Sequence, residues 1–296
     1  MKENTNIADQ PKQQTEKAIP FDALVSLRPL LYKIHNEDCR TTLAKLPAEC
    51  IDLVVTSPPY DELRTYKGHE WNFEIFKEIA EGLSRVLKQG GVIVWVVNDQ
   101  VNNGSESLTS AKQKIYFREN CGLNIHDTMI YGKTQSPFPE SNRYNQMFEY
   151  MLVLSKGKPK TYNLIKERTL YETFGGKSNS TSRDKEGNLT KKQYECFKEF
   201  KIKGNIWYYM VGVGQSTKDR EAFEHPAIFP EALAQDHILS WSNEGDIVYD
   251  PFSGSGTTCK VADRLGRAWF GSEIAEEYQS VALRRIGNDL FTKASN

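Results

Sequence analysis

The chain has 296 residues, 39% hydrophobic and 26% charged, with a formal net charge of −1 from 38 basic and 39 acidic side chains. That length suits one large globular domain, or one domain carrying an insert. The near-zero charge counts against a nucleic-acid binder, which more often carries a basic excess, and no run approaches the roughly 18 apolar residues of a membrane span.

Residues 1–20 are polar and mixed in charge, lack the apolar core of a signal peptide, and read as a mobile tail. Leu31–His35 reads as a short strand, followed by Asp38 and a short helix with Leu43 and Leu46 on its apolar side. Ile51–Val55 is a buried strand by its β-branched run, and it ends in Thr56-Ser57-Pro58-Pro59-Tyr60. After a polar loop, apolar residues at 75, 76, 79, 83, 86 and 87 fall on one helical face, and Gly90-Gly91 reads as the stop. Val92–Val97 is a second buried strand, which completes a strand–helix–strand unit of parallel type.

Further along, Lys112–Glu119 reads as helix, and Ile125–Tyr131 and Phe148–Leu154 as strands. Gly, Ser and Lys dominate 175–188, which reads as a flexible loop. Regular structure resumes with a helix from about Pro230 to Trp241 and a strand at Asp246–Tyr249. A Gly-rich loop, a helix over Thr257–Leu265, a strand at Arg267–Ser272 and a last helix over Glu276–Ile286 follow. This alternation predicts an α/β fold with a mostly parallel sheet.

The charge is unevenly placed. Residues 155–222 hold 15 basic and eight acidic side chains, a net +7, which leaves −8 for the rest of the chain. Aromatic residues, among them Tyr162, Phe174, Tyr194, Trp207 and Tyr208, are interleaved with these charges. Such a segment can neutralise phosphates and stack on bases; composition alone leaves a solvated lysine-rich insert equally open. The five cysteines (Cys39, Cys50, Cys121, Cys196, Cys259) form no CxxC pair, and the five histidines lack metal-ligand spacing. A reduced, cytoplasmic, metal-free protein is therefore expected.

Two short stretches carry chemistry. Asp250-Pro251-Phe252-Ser253-Gly254-Ser255-Gly256-Thr257 follows a strand and opens a helix, and its glycines permit a sharp turn and close approach of a ligand. Glu273, 17 residues past Gly256 at the end of the next strand, stands where an acid commonly holds the ribose of a nucleotide-like cofactor. The other stretch is Ser57-Pro58-Pro59-Tyr60. Its prolines hold an extended turn and provide no N–H, so nearby carbonyls and the Ser57 hydroxyl are open to accept hydrogen bonds from an amine. Tyr60 offers a flat face for a planar ring.

Together these stretches resemble the S-adenosylmethionine-dependent DNA amino-methyltransferases, which modify N4 of cytosine or N6 of adenine. TSPPY resembles their catalytic motif and DPFSGSGTT their cofactor loop. His225-Pro226-Ala227-Ile228-Phe229-Pro230 resembles the motif that closes over the cofactor, and Asn36-Glu37-Asp38-Cys39 the segment whose Asp meets its adenine. The catalytic motif comes first, as in the permuted beta class. The resemblance implies a Rossmann-like methyltransferase fold with circularly permuted motif order and a basic target-recognition insert. It divides the chain into a tail at 1–20, a catalytic half at 21–154, the insert at 155–222, a cofactor-binding half at 223–287 and a second tail at 288–296.

Carried over residue by residue, it implies that Ser57, Pro58, Pro59 and Tyr60 form the catalytic turn. Asp38, His225, Phe229, Asp250, Phe252, Gly254, Gly256, Thr257 and Glu273 become the cofactor residues, while Arg64, Tyr66, Lys67, Lys191 and Lys192 are candidates for DNA contact. Asp38 has a second reading as a helix N-cap. The implied cofactor is S-adenosyl-L-methionine, and the implied partner is double-stranded DNA from which the target base is flipped. Relatives are frequently dimers, and some act beside a cognate restriction endonuclease; the sequence leaves both open. No membrane partner is implied.

An aromatic amine is a poor nucleophile because its lone pair is delocalised, and accepting hydrogen bonds from its protons favours a pyramidal nitrogen. No Pro-Cys nucleophile site is present, which argues against methylation of cytosine C5. Ser at the first motif position is commoner in N4-cytosine enzymes of the family, so N4-cytosine is favoured, with N6-adenine the alternative. A catalytically silent nucleic-acid-binding module on the same fold is a further alternative, against which the intact Ser57–Tyr60 motif weighs.

Overall fold

A computed structural model describes residues 27–60, 70–134, 142–169, 177–195, 198–212, 214–217, 219–225 and 228–294. The tail at 1–20 and the candidate DNA contacts Arg64, Tyr66 and Lys67 lie outside the described residues.

The Val92–Val97 run lies in a strand with both faces covered. Ile93, Trp95 and Val97 pack into one apolar cluster, and Val92, Val94 and Val96 into another on the opposite face. This period of two explains an apolar run with no polar side. The first half of the chain supplies β1 (Ile34–His35), α1 (Cys39–Lys45), β2 (Ile51–Thr56), α2 (Phe73–Val86) and β3 (Leu87–Val97). A small hairpin of β4 (Val101–Asn102) and β5 (Ser105–Glu106) follows, then α3 (Thr109–Glu119), β6 (Asn124–Lys133) and β7 (Phe148–Ser155). The middle forms β8 (Lys166–Arg168), β9 (Lys177–Arg183), β10 (Leu189–Glu195), β11 (Phe200–Ile202) and β12 (Ile206–Tyr209). A 3-10 turn at Arg220–Glu224 leads to α4 (Glu231–Trp241), β13 (Ile247–Asp250), α5 (Thr257–Arg264), β14 (Ala268–Ser272) and α6 (Glu276–Ala294).

Eight strands form one sheet in the order β1-β14-β13-β2-β3-β7-β6-β12. Within it β7 runs antiparallel to both neighbours, and the remaining pairings are parallel. Leu43, Phe76, Ile79, Leu83 and Phe117 from α1, α2 and α3 cover one face. Leu233, Ile238, Val261 and Ala282 from α4, α5 and α6 cover the other. From β2 the chain moves outward to β3, and from β13 it moves the opposite way to β14. The β2–β13 boundary is therefore a topological switch point, where open parallel sheets place ligands.

Several elements differ from expectation. α2 ends at Val86, because Leu87 already turns extended (φ −68°, ψ 130°). Gly90 and Gly91 instead lie within β3, where the β2–β3 register shifts. Gly90 sits at φ +80°, and a Cβ there would come within 2.8 Å of Lys160 Cβ. The last helix runs to Ala294, beyond the expected end at Ile286. The flexible loop expected over 175–188 contains β9, which pairs with β10 as an antiparallel hairpin. Its turn is local chemistry: Asp184 Oδ1 accepts from the backbone N–H of Glu186 and Asn188 at 3.0 and 2.8 Å, and Gly187 supplies φ +89°. β12, from the segment read as an insert, adds a parallel strand to the edge of the large sheet. Among the described residues no helix is long and apolar enough to cross a membrane.

The second face is tied by a buried ion network. Arg285 on α6 is fully buried and donates Nε to Asp219 at 2.7 Å and Nη2 to Glu231 at 3.2 Å. Its Nη1 donates to the Ser255 carbonyl. Lys260 on α5 meets the same two acids at 3.3 and 3.4 Å. Burial alone would raise both carboxyls, but Arg285 and Lys260 on Asp219, and Thr217 with these cations on Glu231, hold each below its usual range. Deleting one partner of such a network strands the others in low dielectric. Arg285→Ala should lower the unfolding free energy in urea by about 3–5 kcal/mol.

Candidate active site

The Gly-rich loop is shaped from below. Asp250, at the end of β13, is 1% exposed. Its Oδ1 accepts from Thr56 Oγ1 of β2 at 2.6 Å and from the Phe252 N–H at 3.1 Å. Thr258 Oγ1 donates to the Val55 carbonyl at 3.1 Å, a second link across the same strand pair. Gly254 has φ +50°, and a Cβ there would lie 3.0 Å from His225 Nε2. Gly256 has φ +77°, and its Cβ would lie 2.8 Å from Ala282 Cβ. Neither place tolerates a side chain without displacement.

Glu273 closes the loop from the next strand. One carboxylate oxygen accepts from the Gly254 N–H at 2.9 Å and the other from the Ala275 N–H at 2.8 Å. Burial raises its pKa above the usual carboxylate range. The loop, Glu273 and the Ser57–Tyr60 turn open onto one cleft of about 1420 Å³. Asp38, His225, Phe229, Phe252 and Thr257 also line it, with Trp71 packed edge-on against Phe252 at 5.4 Å. Asp250 and Gly256 act from behind this wall.

On the other side of the cleft, Ser57 Oγ lies 2.9 Å from Tyr60 Oη, which donates to Glu149 Oε2 at 2.8 Å. Lys133 Nζ meets the other Glu149 oxygen at 2.6 Å. Nothing in the sequence singled out Glu149 or Lys133. They sit in strands β7 and β6, and their only signal was a charge at the end of an apolar run.

The other candidates are placed as follows. Asp38 is the N-cap of α1: its Oδ1 accepts from the Arg40 N–H at 2.8 Å, and Arg40 Nη2 binds Oδ2 at 2.7 Å. It thus has the capping role while also lining the cleft. His225 packs edge-on against Tyr278 with ring centroids 4.3 Å apart. Lys191 and Lys192 are exposed on β10, away from the cleft wall. Among the described residues no group of His, Cys, Asp and Glu could hold a metal ion.

Burial pushes the Asp250 carboxyl up to about 6, with Thr56 and the Phe252 N–H opposing it. A carboxyl raised above its unfolded value favours the fold below the unfolded pKa, and that contribution is lost as pH rises through the folded one. Asp250→Asn should therefore remove a loss on the order of 2–3 kcal/mol between about pH 4 and 7, read from urea unfolding across that range.

The comparisons with known proteins agree with this geometry. A family model described as DNA methylase, for N6 and N4 methyltransferases, matches residues 51–284. The orphan methyltransferase M.BamHII of Bacillus amyloliquefaciens is 52% identical over 241 residues, covering 80% of this chain and 89% of that protein. The DNA adenine methyltransferase YhdJ of Escherichia coli K12 is 30% identical, covering 86% and 81%. Among solved structures, the cytosine-N4-specific PvuII DNA methyltransferase matches with a TM-score of 0.63 at 21% identity, covering 86% of this chain and 87% of that one. A DNA modification methylase of Thermus thermophilus complexed with S-adenosyl-L-methionine matches with a TM-score of 0.54 at 23% identity, covering 87% and 95%. The chain belongs to the N6/N4 DNA methylase family and is a beta-class, S-adenosylmethionine-dependent DNA amino-methyltransferase.

Proposed function

We propose that this enzyme methylates N4 of a cytosine flipped out of duplex DNA. The observation that carries this is one cleft bounded by the Ser57–Tyr60 turn on one side and the Gly254–Glu273 loop on the other. Ser57 Oγ and the Pro58 carbonyl accept hydrogen bonds from the target amine, and the Tyr60 ring stacks on the base. The residues fit the cofactor. The glycines leave backbone where a side chain would intrude, and Glu273 places a carboxylate at the end of β14 for ribose hydroxyls. Asp38, His225, Phe229, Phe252 and Thr257 complete the same wall, with Asp250 and Gly256 setting the loop's shape. When bound, S-adenosylmethionine supplies a sulfonium methyl group already activated for displacement.

The motif order, catalytic turn before cofactor loop, is a circular permutation that the sheet tolerates because β2 and β13 are neighbours. Ser57 favours cytosine; the 30% identity to an adenine methyltransferase keeps N6-adenine as the second reading. M.BamHII, described as an orphan, supports action without a dedicated endonuclease. The basic segment 155–222 supplies phosphate contacts, with Lys191 and Lys192 exposed on its hairpin.

Single-molecule sequencing of DNA from a host expressing the chain should show N4-methylcytosine in a fixed short motif; N6-methyladenine there would overturn the choice of base. Ser57→Ala should lower the single-turnover rate by about a hundredfold, with cofactor affinity by calorimetry changed less than about twofold. Replacing Lys191 and Lys192 with Ala should weaken DNA binding and reduce the salt slope of its logarithmic affinity by about two.

A further inference from the structure

The contacts between Ser57, Tyr60 and Glu149 have a direction. Tyr60 carries one hydroxyl proton and a carboxylate can only accept. At 2.8 Å that proton is committed to Glu149. The 2.9 Å contact between Tyr60 and Ser57 must then use a Tyr60 lone pair, so Ser57 donates. Its single proton spent, Ser57 presents only lone pairs to the cleft. Lys133, at 2.6 Å from the second carboxylate oxygen, anchors Glu149 across the β6–β7 pair, where Tyr131 and Glu149 are in register.

We propose that Glu149 is the end of a proton path, reached through Ser57 and Tyr60, for the proton the target amine must release, and that the same chain fixes Ser57 as an acceptor. This rests on the reading that the Ser57–Tyr60 turn faces the amine. The amine lone pair forms the new N–C bond while the electrons of the broken C–S bond stay on sulfur. The nitrogen is left with a positive charge and a surplus proton. That N–H bond breaks toward Ser57 Oγ, the Ser57 proton passes to Tyr60 Oη, and the Tyr60 proton passes to the Glu149 carboxylate. The N–H electrons return to nitrogen, and Glu149 later releases its proton to solvent. Glu149 never touches the base; it is a positioning residue for Ser57 as well as the terminus of the path. Such a chain also selects the base, because a carbonyl at the same position would meet lone pairs.

A double-mutant cycle tests this with Tyr60→Phe, Glu149→Gln and the pair, on genomic DNA from a methylation-deficient host with labelled S-adenosylmethionine. Tyr60→Phe keeps the ring and removes the link; Glu149→Gln keeps the shape and removes the proton acceptor. Each should lower the single-turnover rate by about a hundredfold with the cofactor KM and its calorimetric Kd unchanged. The pair should be no slower than either alone, because members of one unit are not additive. Glu149→Asp should recover part of the rate. Full activity in Glu149→Gln, or losses that multiply in the pair, would overturn the path. If Glu149→Gln fails to fold or to bind the cofactor, the same coupling read from Glu149→Asp against Tyr60→Phe decides it. A parent chain that transfers no methyl group to DNA would instead sink the functional reading, and the path with it.

Discussion

The site depends on one buried hydrogen bond, from Thr56 Oγ1 to Asp250 Oδ1 at 2.6 Å. These residues stand 194 positions apart, yet they end neighbouring parallel strands. One precedes the catalytic turn and the other precedes the cofactor loop. The bond is short and shielded from water, so it joins the two loops at a fixed spacing. Burial raises the Asp250 pKa, and Thr56 and the Phe252 N–H offset part of that cost. The stability lost by keeping a carboxylate there is the cost of a fixed distance between methyl donor and acceptor.

The rest of the fold holds that seam rigid. Arg285, with no exposed side-chain surface, grips the Ser255 carbonyl and both Asp219 and Glu231. It thereby links α6, the cofactor loop and the segment leading to His225. Gly256 lets α6 approach the loop closely, with Ala282 where a Cβ would otherwise sit. On the catalytic side, Lys133 and Glu149 support Tyr60 from the β6–β7 pair. Each loop is thus backed by a charge network built from strands or helices, and preorganisation of this kind is what a methyl transfer without covalent intermediates requires.

Much of this was legible in the sequence. The apolar run Val92–Val97, the turn Ser57–Tyr60 and the loop Asp250–Thr257 each carry local signals, and those signals survive permutation because they depend on strand ends rather than chain order. Long-range pairing was not legible. Glu149 and Lys133 read as the charged ends of ordinary strands, since their meaning comes from Tyr60, 89 residues before Glu149. The hairpin of β9 and β10 was hidden by its small polar residues, with only Asp184 and Gly187 marking the turn. Asp38 shows a different limit: its capping and cleft-lining positions coincide, so one residue satisfied both readings.

The net charge of −1 averages an acidic body with a segment at 155–222 that carries +7. Whole-chain charge therefore says little about the surface that meets DNA, and the chemistry of the cleft says more. The central claim is that the seam delivers a methyl group to an exocyclic amine. Incubation with labelled S-adenosylmethionine and unmethylated DNA, followed by hydrolysis to nucleosides and mass analysis, tests it directly. The account predicts label in N4-methyldeoxycytidine; label on cytosine C5, or none in the DNA, would contradict it.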